Sequence, residues 1–192
     1  MTIYTKEKSL PLEEMLADFY KTKGLEFDPE NNDLFEFVNS LGFKIWKLPL
    51  DEENLDGIIL VHKNKKKIGL NEALDLPDAR FVLAHELAHY IKQFSSAPNK
   101  LLIAVRDRVL HGEQKNPLEN DMDYLAAAIL VPKDAFKNDL INHNINLSSL
   151  VGIGIKELRK TIPANYVQEL MDRYCVSDEV IYRRIAEVSY YV

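Results

Sequence analysis

The 192-residue chain has one cysteine, Cys175, and no excess of positive charge: 24 Lys+Arg stand against 30 Asp+Glu, a formal net charge of −6. A lone cysteine cannot close an internal disulfide, so the expected compartment is a reducing cytoplasm. The acidic balance offers no general attraction to phosphate backbones or anionic lipid, which argues against direct nucleic-acid binding and against a membrane surface. Long apolar runs are missing as well. The stretch Leu101 to Val105 falls far short of the roughly 20 residues that span a bilayer. Lys6, Glu7 and Lys8 break up the first ten residues, so they do not read as a signal peptide. Glycine and proline are sparse, at 7 and 8 residues, which excludes collagenous and low-complexity classes. What remains is an ordinary globular composition, 46% hydrophobic and 28% charged, with enough apolar material for a sizeable core. Histidine is also scarce, at five residues, so its placement carries information.

Hydrophobic periodicity places the elements. Ser9 and Pro11 open a segment with Leu12, Met15, Leu16 and Phe19 on one helical face, closed by Gly24. A second helix runs from about Asn31 to Gly42 and leads into a strand through Phe43, Ile45, Trp46 and Leu48. Gly57 to Val61 and Lys67 to Asn71 flank the polar segment His62-Lys63-Asn64-Lys65-Lys66, the pattern of a β-hairpin with a solvated lysine-rich tip. Helices are predicted from about Asp78 to Gln93 and from about Leu118 to Leu130. Everything beyond Lys133 reads as helical.

The chemistry concentrates in His85-Glu86-Leu87-Ala88-His89. Histidines at i and i+4 lie one turn apart on the same face, so both imidazoles can reach one ion at the roughly 2.0–2.1 Å of a zinc–nitrogen bond. Glu86 is about 100° further round the axis, which keeps it off the ion and lets it serve as a general base toward a water. Two nitrogen ligands, a free carboxylate and an open position are what a zinc hydrolase requires. The metzincin extension needs Gly at 92 and His at 95, whereas the chain has Lys92 and Ser95, so the third ligand comes from elsewhere. Glu119 and Asp123, one turn apart on the later helix, suit a carboxylate ligand and an acceptor for the free N–H of a ligand histidine. A second role also fits Glu119, as the third residue of a capping box begun by Asn116 and Pro117. Spacing accommodates both, with His111, Glu113, Asp121 and Asp123 as fallback ligands. For the oxyanion-stabilising group, His111, His143 and several tyrosines are candidates.

These segments, Lys67 to Asn71, Arg80 to Tyr90 and Glu119 to Pro132, resemble the ImmA/IrrE family of metallopeptidases. That family pairs a His-Glu-Leu-x-His helix with a later Glu-x-x-Ala-Asn-x-Phe-Ala-x-x-Leu-Leu-Met-Pro helix, and the likeness covers roughly residues 10 to 140. The chain has Met122, Asp123, Leu125 and Val131 where the pattern has Ala, Asn, Phe and Met. The resemblance implies metal ligands His85, His89 and Glu119, Glu86 as the catalytic base, and Zn2+ as the cofactor, with Mn2+ as another divalent ion that the ligand set accepts. It implies an α+β, reduced zincin-like (gluzincin-like) fold, a small antiparallel or mixed sheet packed on the HExxH helix, followed by a helical C-terminal region. Residues 1–135 would form the metallopeptidase domain and 136–192 the helical region, with the hairpin at 57–71 as the sheet edge beside the cleft.

The C-terminal pattern of two helices around Cys175-Val176-Ser177 resembles a helix-turn-helix unit. Its balance of six basic and six acidic residues over 150–192 lacks the basic footprint of a DNA reader, which favours a packing or docking role. The function expected is site-specific, zinc-dependent endoproteolysis of a regulatory protein, such as a helix-turn-helix repressor encoded nearby in a mobile element or stress response. The alternatives are a DNA-binding regulator and a toxin–antitoxin or partner-binding module with a non-catalytic metal site.

Overall fold

A computed structural model describes residues 3–25, 27–50, 54–96, 100–107 and 117–192. Helix α1 (Lys6–Lys23) starts a turn before Ser9, whose hydroxyl bonds Thr5 O inside the helix instead of capping it. It ends where Gly24 adopts φ 61, a left-handed conformation that costs glycine nothing. Helix α2 (Leu34–Ser40) is capped by Asp33, which accepts from Glu36 N at 2.9 Å.

Four strands follow: β1 (Phe43–Leu48), β2 (Leu55–His62), β3 (Lys65–Asn71) and, after the long helix α3 (Leu76–Ser96), β4 (Leu102–Asp107). The expected hairpin forms, but its turn is only Lys63-Asn64, with Lys63 at φ 53. Lys65 and Lys66 belong to the strand instead. Lys66 Nζ donates to Leu41 O at 2.8 Å.

The sheet order β1-β3-β2-β4 overturns one expectation: the hairpin lies in the middle of the sheet and the edges are β1 and β4. β1 pairs parallel with the outer side of β3 and β4 antiparallel with the outer side of β2. Both pairings join segments far apart in sequence, so hairpin periodicity does not reveal them. The architecture is α+β, with a mixed sheet and a helical C-terminal region.

Helix α3 lies on the inner face of the sheet, burying Val82, Leu83, Leu87 and Ile91 against Phe43, Ile59, Ile68 and Leu70. Each such side chain withdrawn from water is worth about 1.5–3 kcal/mol before chain entropy is counted. Helix α4 (Pro117–Leu130) packs alongside through Leu125-Ala126-Ala127-Ala128, small enough to bring the two axes close. Helices α5 (Lys133–Asn142), α6 (Ile155–Thr161), α7 (Ala164–Tyr174) and α8 (Asp178–Val188) complete the chain. Cys175 takes φ 50 at the turn between α7 and α8.

Helix α8 is buried on all sides from Val180 to Val188, including Arg183, Arg184 and Glu187. Glu187 carries both arginines: its Oε1 accepts from Arg183 Nε at 2.9 Å and its Oε2 from Arg184 Nη1 at 3.2 Å. Arg184 also donates to Val131 O at 3.1 Å and approaches Glu13 of α1 at 3.6 Å. No helix among the described residues is long and apolar enough to cross a membrane.

Candidate metal centre

Helix α3 presents His85 and His89 one turn apart on the side facing α4, and the first turn of α4 brings Glu119 between them. Glu119 Oε2 is 3.0 Å from His85 Nε2, and its Oε1 is 3.6 Å from His89 Nε2. Donor atoms of the three residues all lie within 4.8 Å of one another, close enough to close around a single divalent ion. Both histidines are buried and Glu119 is partly exposed, so one side of the cluster opens to solvent. The donor set passes a test of fit. His89 Nε2 is buried with no hydrogen-bond partner, an arrangement that costs free energy unless something else satisfies the lone pair. The two histidine contacts hold the Glu119 carboxyl well below the usual carboxylate range, the side-chain bond from His85 being the larger cause. Its ionised form is the one that ligates metal.

Glu86 is not one of the three clustered donors, and its carboxyl lies against Gly57 of β2. It is fully buried and neither carboxylate oxygen has a hydrogen-bond partner. Desolvation pushes its carboxyl up to about 8, partly offset by the cation of Arg106. An ionisable group held dry and unpaired beside a donor cluster is poised for proton transfer rather than for fold stability.

Asp123 occupies the expected place behind the histidine. Its Oδ1 lies 2.9 Å from His85 Nδ1, so the ring can bond the carboxylate through one nitrogen and present the other to an ion. Asp121 turns elsewhere, accepting from Tyr4 Oη at 2.5 Å and from Lys92 Nζ at 2.8 Å. His143 is also engaged elsewhere: its ring stacks on Tyr166 at 3.9 Å, and its Nε2 faces Glu169. Asn116, His111 and Glu113 lie outside the described residues.

Two contributors escape sequence reasoning. Arg106 of β4 reaches under the cluster, with Nη1 2.7 Å from Asp123 Oδ1 and 2.6 Å from His85 Nδ1. Its only signal in the sequence is a cation interrupting an apolar strand. Gly57 of β2 permits close approach to α3, since a Cβ there would sit 2.5 Å from Val82 Cγ1 and 2.9 Å from Glu86 Oε1. Gly57→Ala is therefore expected to lower unfolding stability by about 1–3 kcal/mol, the usual cost of overpacking, read as a fall in the urea midpoint.

An HExxH helix joined by a carboxylate from a second helix, against a small mixed sheet, defines a metallopeptidase-type domain. The chain belongs to the peptidase M78 family, whose IrrE N-terminal-like domain matches residues 38–186. That match covers more than half the chain and runs through the metal cluster into α8. No curated protein matches the chain.

Proposed function

We propose that the protein is a zinc-dependent endopeptidase of the cytoplasm that cuts a regulatory protein at a specific site, with a helix-turn-helix repressor encoded nearby as the expected substrate. The observation that carries this reading is the buried, unpartnered Glu86 carboxylate beside the His85, His89 and Glu119 donor set. A purely structural zinc site is usually closed by four protein ligands and needs no free base. The burial of α8 supports the peptidase reading over the DNA-reading alternative.

His85, His89 and Glu119 would hold the metal, with Zn2+ preferred for this ligand set and Mn2+ a second candidate. When bound, the ion supplies Lewis acidity at the scissile carbonyl and makes water a stronger acid. Glu86 then takes a proton from the attacking water as its oxygen bonds to the carbonyl carbon. As the C–N bond breaks, Glu86 returns that proton to the leaving amine, so a carboxyl product and an amine product form with no net change at the enzyme. Asp123 keeps the His85 ring in the ligating orientation. Edge strand β4 is the place for an extended substrate to add as a further strand, since it borders β2 and carries Arg106 into the site.

The test is incubation of the zinc-loaded protein with the repressor encoded nearest its gene. Wild type is expected to yield two fragments and Glu86→Gln none. An intact repressor after incubation with wild type overturns the reading. Glu119→Ala is expected to lower bound zinc to well below one equivalent in elemental analysis, and full occupancy in that variant would remove Glu119 from the ligand set.

A further inference from the structure

The geometry points to Arg106 as a positioning residue of the metal centre, acting together with Asp123 to fix the His85 ring from edge strand β4. This assignment rests on the metallopeptidase reading above and deepens it. Arg106 Nη1 donates to Asp123 Oδ1 at 2.7 Å, the same oxygen that lies 2.9 Å from His85 Nδ1, and Nη1 itself lies 2.6 Å from that ring nitrogen. The guanidinium lies over the Phe81 ring, its carbon 5.2 Å from the ring centre, while its Nε is buried without a hydrogen-bond partner. Arg183 of α8 approaches the other oxygen, Asp123 Oδ2, at 3.9 Å. The carboxylate is thus flanked by cations from β4 and from the C-terminal helix, and its freedom to turn away from His85 is limited from both sides.

The consequence is chemical. The His85 ring is contacted at Nδ1 by both Asp123 and Arg106, which leaves its Nε2 directed toward Glu119 and the donor cluster. Without Arg106, Asp123 Oδ1 loses its charge-assisted bond and the ring loses its reference point. Partners at this remove from a metal typically contribute 10- to 100-fold in affinity.

The experiment measures zinc affinity by competition with a chromogenic chelator, using the full chain as wild type, Arg106→Gln, Arg106→Lys, Asp123→Asn and the Arg106→Gln/Asp123→Asn double variant. Circular dichroism establishes that each is folded. Arg106→Gln is expected to weaken zinc binding roughly 10- to 100-fold. Arg106→Lys, which keeps the cation but not the planar fork, should recover part of that loss. The double variant should lose less than the sum of the two single losses, because Arg106 and Asp123 hold each other and the same ring nitrogen. A folded Arg106→Gln protein with wild-type zinc affinity overturns the assignment, as do fully additive losses in the double variant. Readout by metal affinity separates the two hypotheses. Wild type that binds zinc but cuts no repressor defeats the endopeptidase reading and leaves Arg106 in place, whereas unchanged affinity in Arg106→Gln defeats the Arg106 assignment alone.

Discussion

Glu86→Gln is expected to lower the rate of peptide cleavage by about 10²- to 10⁴-fold, the usual contribution of a positioned general base, while zinc content stays at the wild-type level. The two effects separate because Glu86 is not among the three clustered donors. The substitution is nearly isosteric and replaces a carboxylate that is buried with no partner on either oxygen, so the fold gives up no hydrogen bond. Thermal unfolding of the metal-free variant at neutral pH should therefore occur close to the wild-type Tm, since burial already holds Glu86 largely as the neutral acid and the amide replaces it at nearly the same size. Single-turnover cleavage, elemental analysis and calorimetry check the three parts. A variant that cuts as fast as wild type would remove Glu86 from the chemistry.

The largest effect on stability is expected at a residue outside the donor set. Glu187→Ala should cost about 3–5 kcal/mol, because it leaves Arg183 and Arg184 buried without the carboxylate that neutralises them. Arg184 keeps the Val131 carbonyl, the Tyr124 ring and the longer approach of Glu13, and Arg183 keeps the Asn120 carbonyl at 3.5 Å and Asp123 at 3.9 Å. Urea denaturation followed by circular dichroism is the measurement, with a large drop in midpoint at unchanged slope. A loss under 1 kcal/mol would mean that water reaches these ions when Glu187 is removed. The same residues explain why α8 packs among α1, α4 and α5 despite five charged residues among its 11: the mid-helix cations are matched inward by Glu187, Glu13 and backbone carbonyls rather than outward by solvent.

Much of the candidate site is legible in the sequence because its parts are local. His85 and His89 share a helix, as do Glu119 and Asp123, and a rise of 1.5 Å with 3.6 residues per turn converts a spacing of four into a common face. Charge alone misleads for Arg183, Arg184 and Glu187. In the sequence they count as an evenly balanced surface, and in the fold they are among the least exposed residues. Composition cannot distinguish a solvated ion from a paired one, since the distinction lies in which carboxylate another element delivers.

The sequence by itself determined the acidic, single-cysteine, α+β character of the chain and the helix that carries two donors and a base. It also determined that a second helix supplies a carboxylate pair one turn apart. Tertiary structure alone decided that Glu119 faces His85 and that β4 rather than the hairpin forms the edge beside the site. It alone brought Arg106, Asp123 and Arg183 together around one carboxylate. These relations depend on pairings such as Ile58 with Val105 and on the packing of α4 against α3, across dozens of intervening residues. Helical spacing is set by the backbone and can be counted, whereas contact between distant segments is set by the whole core closing at once.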